Sequence, residues 1–493
     1  MPARHRKIAF GVRLVASFIV GIGASAANVA SAAATTTTSA AHESNWPQWR
    51  GPLATGAAPT ADPPITWGEG KNVRWKVKLP GRGTSTPIVW GDSIFIQTAI
   101  ATAKQAAPAA AADAPAAAPT RAPVLQAEPP PDGGRRRGGP GGRGGGGGGG
   151  FGALPAPTEP FQFVLLCLDR KTGQPRWQKV VREEIPHEGH HRDHGFSSYS
   201  PITDGKHVYA YFGSRGLHCF DMDGNPKWQK DLGRMETRNG FGEGSSPALY
   251  GDTIVINWDH QGDDFIIALD KNTGEQRWRE PRDEEQTWST PLIVEHDGQA
   301  QVVTTATNKV RSYDLKTGKQ IWEAPGLTSN TIPSPVAGDG MVYATAGFRG
   351  SALYAIRLGK TGDLSGTDAI AWSAKRGTPY VPSPLLYGNR LYVYSGNNAM
   401  LSCYDARTGK PILETERIDD LDGVYASPIG AGGRVYLVGR DGTTVVIKHL
   451  DKTDKVEVLA TNQLDERFDA SPAAVGKELF LRGQEHLYCI AAE

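Results

Sequence analysis

Four histidines and two carboxylates fall within eight residues, His187-Glu188-Gly189-His190-His191-Arg192-Asp193-His194. Imidazole and carboxylate suit a borderline divalent cation such as zinc, so His187, His190, His191 and His194 are candidate metal ligands. Their spacing matches no defined zinc pattern, and a histidine-rich run on a loop also serves as a plain solvated segment. A second set is scattered along the chain but recurs ahead of Ser/Thr-Pro pairs. It comprises Arg238, Glu243, Trp288, Asn330, Arg376, Tyr380, Tyr425, Arg467 and Asp469. Arginine, carboxylate, amide and aromatic groups converging on one point would form a pocket for a small polar ligand, anionic or sugar-like. Taken singly, each is as well explained by solvation or by pairing with a neighbour.

Whether these side chains meet depends on the repeat that carries them. The prolines of the Ser/Thr-Pro pairs are Pro87, Pro201, Pro247, Pro291, Pro335, Pro384, Pro428 and Pro472, at intervals of 114, 46, 44, 44, 49, 44 and 44 residues. Eight anchors predict eight units. Each unit reads as four strands: Pro247 to Tyr250, Thr253 to Asn257, Phe265 to Asp270, and a fourth around Trp278. The signature Asp-x-x-Thr-Gly-x-x-x-Trp spans Asp169–Trp177, Asp270–Trp278 and Asp314–Trp322, is shortened at Trp228, and is looser at Trp372 and around Pro411–Glu414. Its glycine permits a positive φ in the turn, and its tryptophan is an apolar plate for the neighbouring unit. The last unit ends at its third strand, Leu487–Ala491, while an orphan strand, Asn72–Leu79, carries Trp75 near the N-terminus. Pairing the two removes the edges an open ring would leave. The expected fold is all-β: an eight-bladed β-propeller of four-stranded antiparallel blades, closed by an N-terminal strand.

In such a meander, the first–second and third–fourth strand turns share one face, and the remaining loops share the other. The stereotyped Gly-Asp and Thr-Gly turns occupy the first face. The second gathers the candidate residues above, joined by Ser198, Tyr199, Asn239, Arg215, Asp259, His260, Arg349, Asn397, Arg440 and Asp441, around the mouth of the central channel.

The remainder of the chain bounds function more loosely. With 53 basic and 52 acidic residues the net charge is +1, which gives no global pull toward nucleic acid. Residues 1–32 read as a signal peptide: Arg4, Arg6 and Lys7, then apolar Leu14–Ile22, then the cleavage-type Ala30-Ser31-Ala32. The apolar stretch is too short to span a bilayer, and no cysteine precedes Cys167 to carry a lipid. A periplasmic or secreted monomer is expected, with no transmembrane segment after cleavage. Its partners would be envelope proteins or a small polar ligand. Residues 33–71 form an N-terminal extension whose Trp46-Pro47-Gln48-Trp49-Arg50-Gly51-Pro52 run is the part suited to cap the ring. The propeller proper is 72–493, interrupted at 101–158 by an Ala/Pro/Gly-rich insertion with the composition of a disordered loop. Cys167, Cys219, Cys403 and Cys489 share one repeat position with Ala268 and Ala355, which reads as a small buried site holding free thiols.

The Thr-Gly-x-x-x-Trp repeats, Ser-Pro strand starts and N-terminal closing strand resemble the pyrroloquinoline-quinone-like (PQQ-like) propeller repeat family, from about residue 45 to 493. That resemblance implies one of two functions. One is a non-catalytic binding or scaffolding propeller of the envelope, as in the outer-membrane assembly factor BamB. The alternative is a quinone- or metal-dependent oxidoreductase, as in quinoprotein alcohol dehydrogenases, with PQQ and calcium as cofactors. The dehydrogenase pattern is partly met at best: no two cysteines are adjacent, no Cys-x-x-Cys-His is present, and the calcium ligands would have to come from Glu243, Asn257, Asp259 or similar residues. From BamB the chain departs in lacking a lipidated cysteine and in its repeat count. The repeat motif describes packing, so it specifies the fold and leaves the activity open.

Overall fold

A four-stranded unit with apolar side chains on both faces cannot bury itself alone, so each repeat here is covered by its neighbours. The computed structural model describes residues 40–102, 152–395, 399–451 and 453–492. The signal peptide expected at 1–32 lies outside these residues. Eight antiparallel sheets form the blades of an eight-bladed β-propeller. Blade 1 runs from Ile88 to Glu184 and blade 8 from Ala473 to Ala491. Blade 8 takes its outermost strand, Val73–Lys78, from the N-terminal side, with Trp75 opposite Cys489.

The two halves of the repeat motif have separate jobs. The serine or threonine before each proline bonds one blade to the next: its N–H donates to the hydroxyl of its counterpart in the following blade. The series runs Thr86 to Ser200, Ser246, Thr290, Ser334, Ser383, Ser427 and Ser471, with seven links of 2.8–3.0 Å. Proline can follow because an innermost strand has an edge where no N–H is needed. Among the described residues the eighth link is missing, and the Thr86 hydroxyl is buried without a partner. Arg482 of blade 8 spans that seam instead, donating to the carbonyls of Ser85 (3.0 Å) and Gln97 (2.8 Å) in blade 1.

The tryptophans dock the outer strands. Trp177, Trp228, Trp278 and Trp372 each donate from the indole N–H to a backbone carbonyl of the next blade, at 2.8–3.0 Å. Trp75 does the same across the seam, to Arg170 at 3.1 Å. The glycine of the next Thr-Gly turn lies flat on the indole: a Cβ on Gly274 (φ +75°) would stand 2.6 Å from Trp228. On the same blade the residue opposite each tryptophan is small, as in the pairs Cys167–Trp177, Cys219–Trp228, Ala268–Trp278 and Ala355–Trp372. This explains why alanine and cysteine share one repeat position. All four cysteines are buried and unpaired.

The run Trp46–Pro52 does more than cap the ring. Trp46 bridges to Val89 of blade 1, and Thr203 of blade 2 donates to Pro47. Leu386 of blade 6 then donates to Thr55, and Ala57–Ala58 add a parallel strand to the inner edge of blade 7. Blades 2 and 6 face each other across an eight-membered ring, so this segment crosses the channel. Arg50, 3% exposed, donates there to the carbonyls of Pro384 (2.9 Å) and Pro428 (3.0 Å). Of the insertion placed at 101–158, residues 103–151 lie outside the described residues. Residues 152–158 are described, and Ala153 pairs with His191 of the histidine-rich loop.

Candidate binding site at the channel mouth

The loop face opens into a cavity of about 710 Å³. Its wall comes from the loops between blades and the second–third strand loops, and Trp49 of the channel-crossing segment contributes from the N-terminal extension. Arg238, Trp288, Asn330, Tyr380, Tyr425 and Asp469 line it, as do His191 and His194. Aromatic surfaces are prominent. Phe348 and Tyr380 stack at 4.9 Å, and Arg349 lies over Phe348 at 5.2 Å. Trp288 is held by a 2.8 Å bond from its indole N–H to the Gly242 carbonyl. Three lining residues, Asn239, Asn330 and Arg349, have left-handed backbones, with φ of 55°, 54° and 51°. Arginine in that region carries about 1 kcal/mol or more of strain, the kind that clusters where a side chain must be aimed.

Two carboxylates on one wall, Asp193 and Asp469, belong to an ion-pair quartet whose arginines, Arg440 and Arg467, stand behind them and do not border the cavity. Asp469, its side chain 6% exposed, accepts from Arg440 Nε (2.6 Å) and Arg467 Nε (3.0 Å). Asp193 arrives from the histidine-rich loop, and one of its oxygens accepts from Nη2 of both arginines, at 2.8 and 2.7 Å. The Arg440 guanidinium lies 3.6 Å over the Tyr425 ring. Arg192 and Arg349 also line the cavity and have no carboxylate partner among the described residues. Arg238 pairs with Glu285.

The remaining candidates go elsewhere. Glu243 lies buried behind the wall and accepts from Tyr199 (2.6 Å), Ser214 (2.7 and 2.8 Å) and Arg215 (3.1 Å). Arg376 is exposed and does not border the cavity, and Arg467 acts on it only through Asp193 and Asp469. Three of the four histidines turn a ring nitrogen to a backbone carbonyl, and His191 Nδ1 accepts from the Asp193 N–H at 3.2 Å. His187 Nε2 meets the Met235 carbonyl at 2.7 Å, and His190 and His194 turn Nδ1 to backbone carbonyls at 2.8 and 2.9 Å. Burial pushes His194 down to about 4, so its ring is neutral at pH 7. Among the described residues no three histidine, cysteine, aspartate or glutamate side chains converge as a metal site.

The calcium donors that a quinone cofactor would need fit no better. Calcium asks for six or more oxygen ligands. Asp259 spends both oxygens on Arg282, at 2.7 and 3.1 Å, and Asn257 turns its amide nitrogen to Asp259. Glu243 is fully engaged, as above. Asn257 Oδ1 is buried without a hydrogen-bond partner among the described residues, but the carboxylates beside it are committed to arginines.

Fold and site thus define an eight-bladed propeller whose channel, crossed by its own N-terminal segment, opens as an arginine- and aromatic-lined pocket. Residues 162–364 and 360–491 match the family described as outer membrane protein assembly factor BamB, and the chain belongs to this family of PQQ-like repeat propellers. Among solved structures, the quinohemoprotein alcohol dehydrogenase of Comamonas testosteroni superposes with a TM-score of 0.56 at 11% identity, over 92% of this chain and 82% of its own. BamB of Moraxella catarrhalis gives 0.45 at 14% identity, over 66% and 88%. At these identities the likeness shows the propeller fold alone. No curated protein matches the chain.

Proposed function

We propose that this chain is a non-catalytic binding propeller of the cell envelope that takes an anionic, polar group at its channel mouth. One observation supports this reading above the others. The carboxylates lining the cavity, Asp193 and Asp469, are already held by arginines, while Arg192 and Arg349 lack carboxylate partners among the described residues. Net positive charge beside aromatic plates favours an anion carried on a polar or planar body. The family's description and the signal-like residues 1–32 support the envelope, and no helix among the described residues is long and apolar enough to cross a membrane. Among the described residues no group of three histidine, cysteine, aspartate or glutamate side chains is placed to hold a metal, which gives the oxidoreductase reading less support.

Titration of intrinsic tryptophan fluorescence, with calorimetry, tests this on a panel of citrate, glucuronate, glucose and choline. The anions are expected to saturate at one site, and Arg349→Ala to weaken them about tenfold, as for loss of one charge-assisted contact. Equal binding of choline, or an unchanged affinity in Arg349→Ala, would contradict the reading.

A further inference from the structure

The quartet at the mouth has a permanent member and an exchangeable one. Two arginines carry +2. Asp469, buried and bonded to both Nε atoms, neutralises one charge. The outstanding +1 is met by Asp193, whose hold is different in kind. It sits on a loop 247 and 274 residues away in sequence from Arg440 and Arg467. Its side chain is 21% exposed and lines the cavity. One oxygen takes both Nη2 donors, while the other accepts from Tyr425 Oη at 3.5 Å and lies 3.9 Å from His191 Nδ1, which itself accepts from the Asp193 N–H. The loop has other anchors besides this contact. Its backbone is held by His191 N–H to Phe241 (3.0 Å), Arg192 N–H to Gly152 (2.9 Å) and Leu154 N–H to the His190 carbonyl (2.8 Å).

We propose that the Arg440–Arg467 pair is a carboxylate-binding subsite, and that Asp193 is its built-in occupant, displaced when a ligand carboxylate enters the mouth. This rests on the mouth being a binding site for anions. Exchange needs only rotation of the Asp193 side chain, because the backbone bonds of the loop stay in place. The incumbent defines the shape accepted: a planar carboxylate with one oxygen between two guanidinium groups and the other toward the Tyr425 hydroxyl. The Tyr425 ring beneath Arg440 keeps that guanidinium in place while the anions exchange. A carboxylate of this kind occurs on a small acid or on an acidic side chain of a partner protein, and both present the same group.

The test compares wild type, Asp193→Asn and Asp193→Asn/Arg467→Gln by calorimetry. The probes are succinate and a capped peptide bearing a single glutamate. Asp193→Asn keeps the side chain's shape and removes its charge, so the probe no longer competes with an internal carboxylate. Affinity is expected to rise about fivefold, the value of one partly exposed ion pair, and to be lost in the double variant. The probe that gains more identifies the source. Weaker or unchanged binding in Asp193→Asn, with wild type still binding, would overturn the displacement while leaving the mouth a binding site. No binding by either protein would overturn both. Should Asp193→Asn fail to fold, Asp193→Ser carries the same expectation.

Discussion

Asp259→Ala is expected to destabilise the propeller by about 3–5 kcal/mol, because it strands a fully buried guanidinium. Arg282 and Asp259 both have side chains with 0% exposure and meet as a two-bond fork. The remaining Arg282 donors reach Thr304 (2.9 Å) and Tyr313 (2.8 Å) of blade 4, so the pair staples blade 3 to its neighbour. Removing one partner leaves an uncompensated charge, whereas removing both with apolar residues of similar size removes the need for compensation. Asp259→Leu/Arg282→Met is therefore expected to recover most of the loss. Urea denaturation of the three proteins decides it. A single variant as stable as wild type would show that the staple is dispensable.

Trp75→Ala is expected to lower stability by about 3 kcal/mol through lost burial and a residual cavity, and to do so at one place. Trp75 packs on Phe480 at 6.0 Å and on Gly173 of blade 1, while its indole N–H holds Arg170. It sits at the seam, where the hydroxyl chain of the other blades is interrupted at Thr86. Arg482 and the ion pairs of Glu478 with Arg74 and Arg170 remain as the other fasteners. With Trp75 gone, the strand Val73–Lys78 frays and exposes the edge of blade 8. Hydrogen exchange should accelerate in 73–78 and 486–491 before the rest of the ring. Trp228→Ala, docked the same way in mid-ring, should destabilise without that localisation. Uniform exchange in Trp75→Ala would contradict the seam.

The ring was legible in the sequence because its fasteners repeat. Eight Ser/Thr-Pro pairs mark the innermost strands, and the tryptophan turns mark the outermost. The mouth was legible only as a face. Repeat position says which loop a residue occupies but not which way its side chain turns, so it places Glu243 and Asp259 on one face with Tyr425 and Asp469 although both are spent behind the wall. Trp49 was harder still. It belongs to no repeat, and only the crossing from blade 2 to blade 6 brings it to the cavity. In sequence the histidine-rich run stands out for its imidazoles. At the mouth the run contributes Arg192 and Asp193 beside its histidines, and the arginines that hold Asp193 are too distant in sequence for spacing to reveal.

The most direct test of an anion-binding mouth is crystallography of the protein soaked in 4-bromobenzoate, located by the anomalous signal of bromine. The account predicts one dominant peak inside the cavity, with the carboxylate at Arg192, Arg349 or the Arg440–Arg467 pair, abolished in crystals of Arg192→Ala/Arg349→Ala/Arg467→Gln. A dominant peak outside the mouth, or one in the mouth with its carboxylate away from Arg192, Arg349 and the Arg440–Arg467 pair, would contradict it.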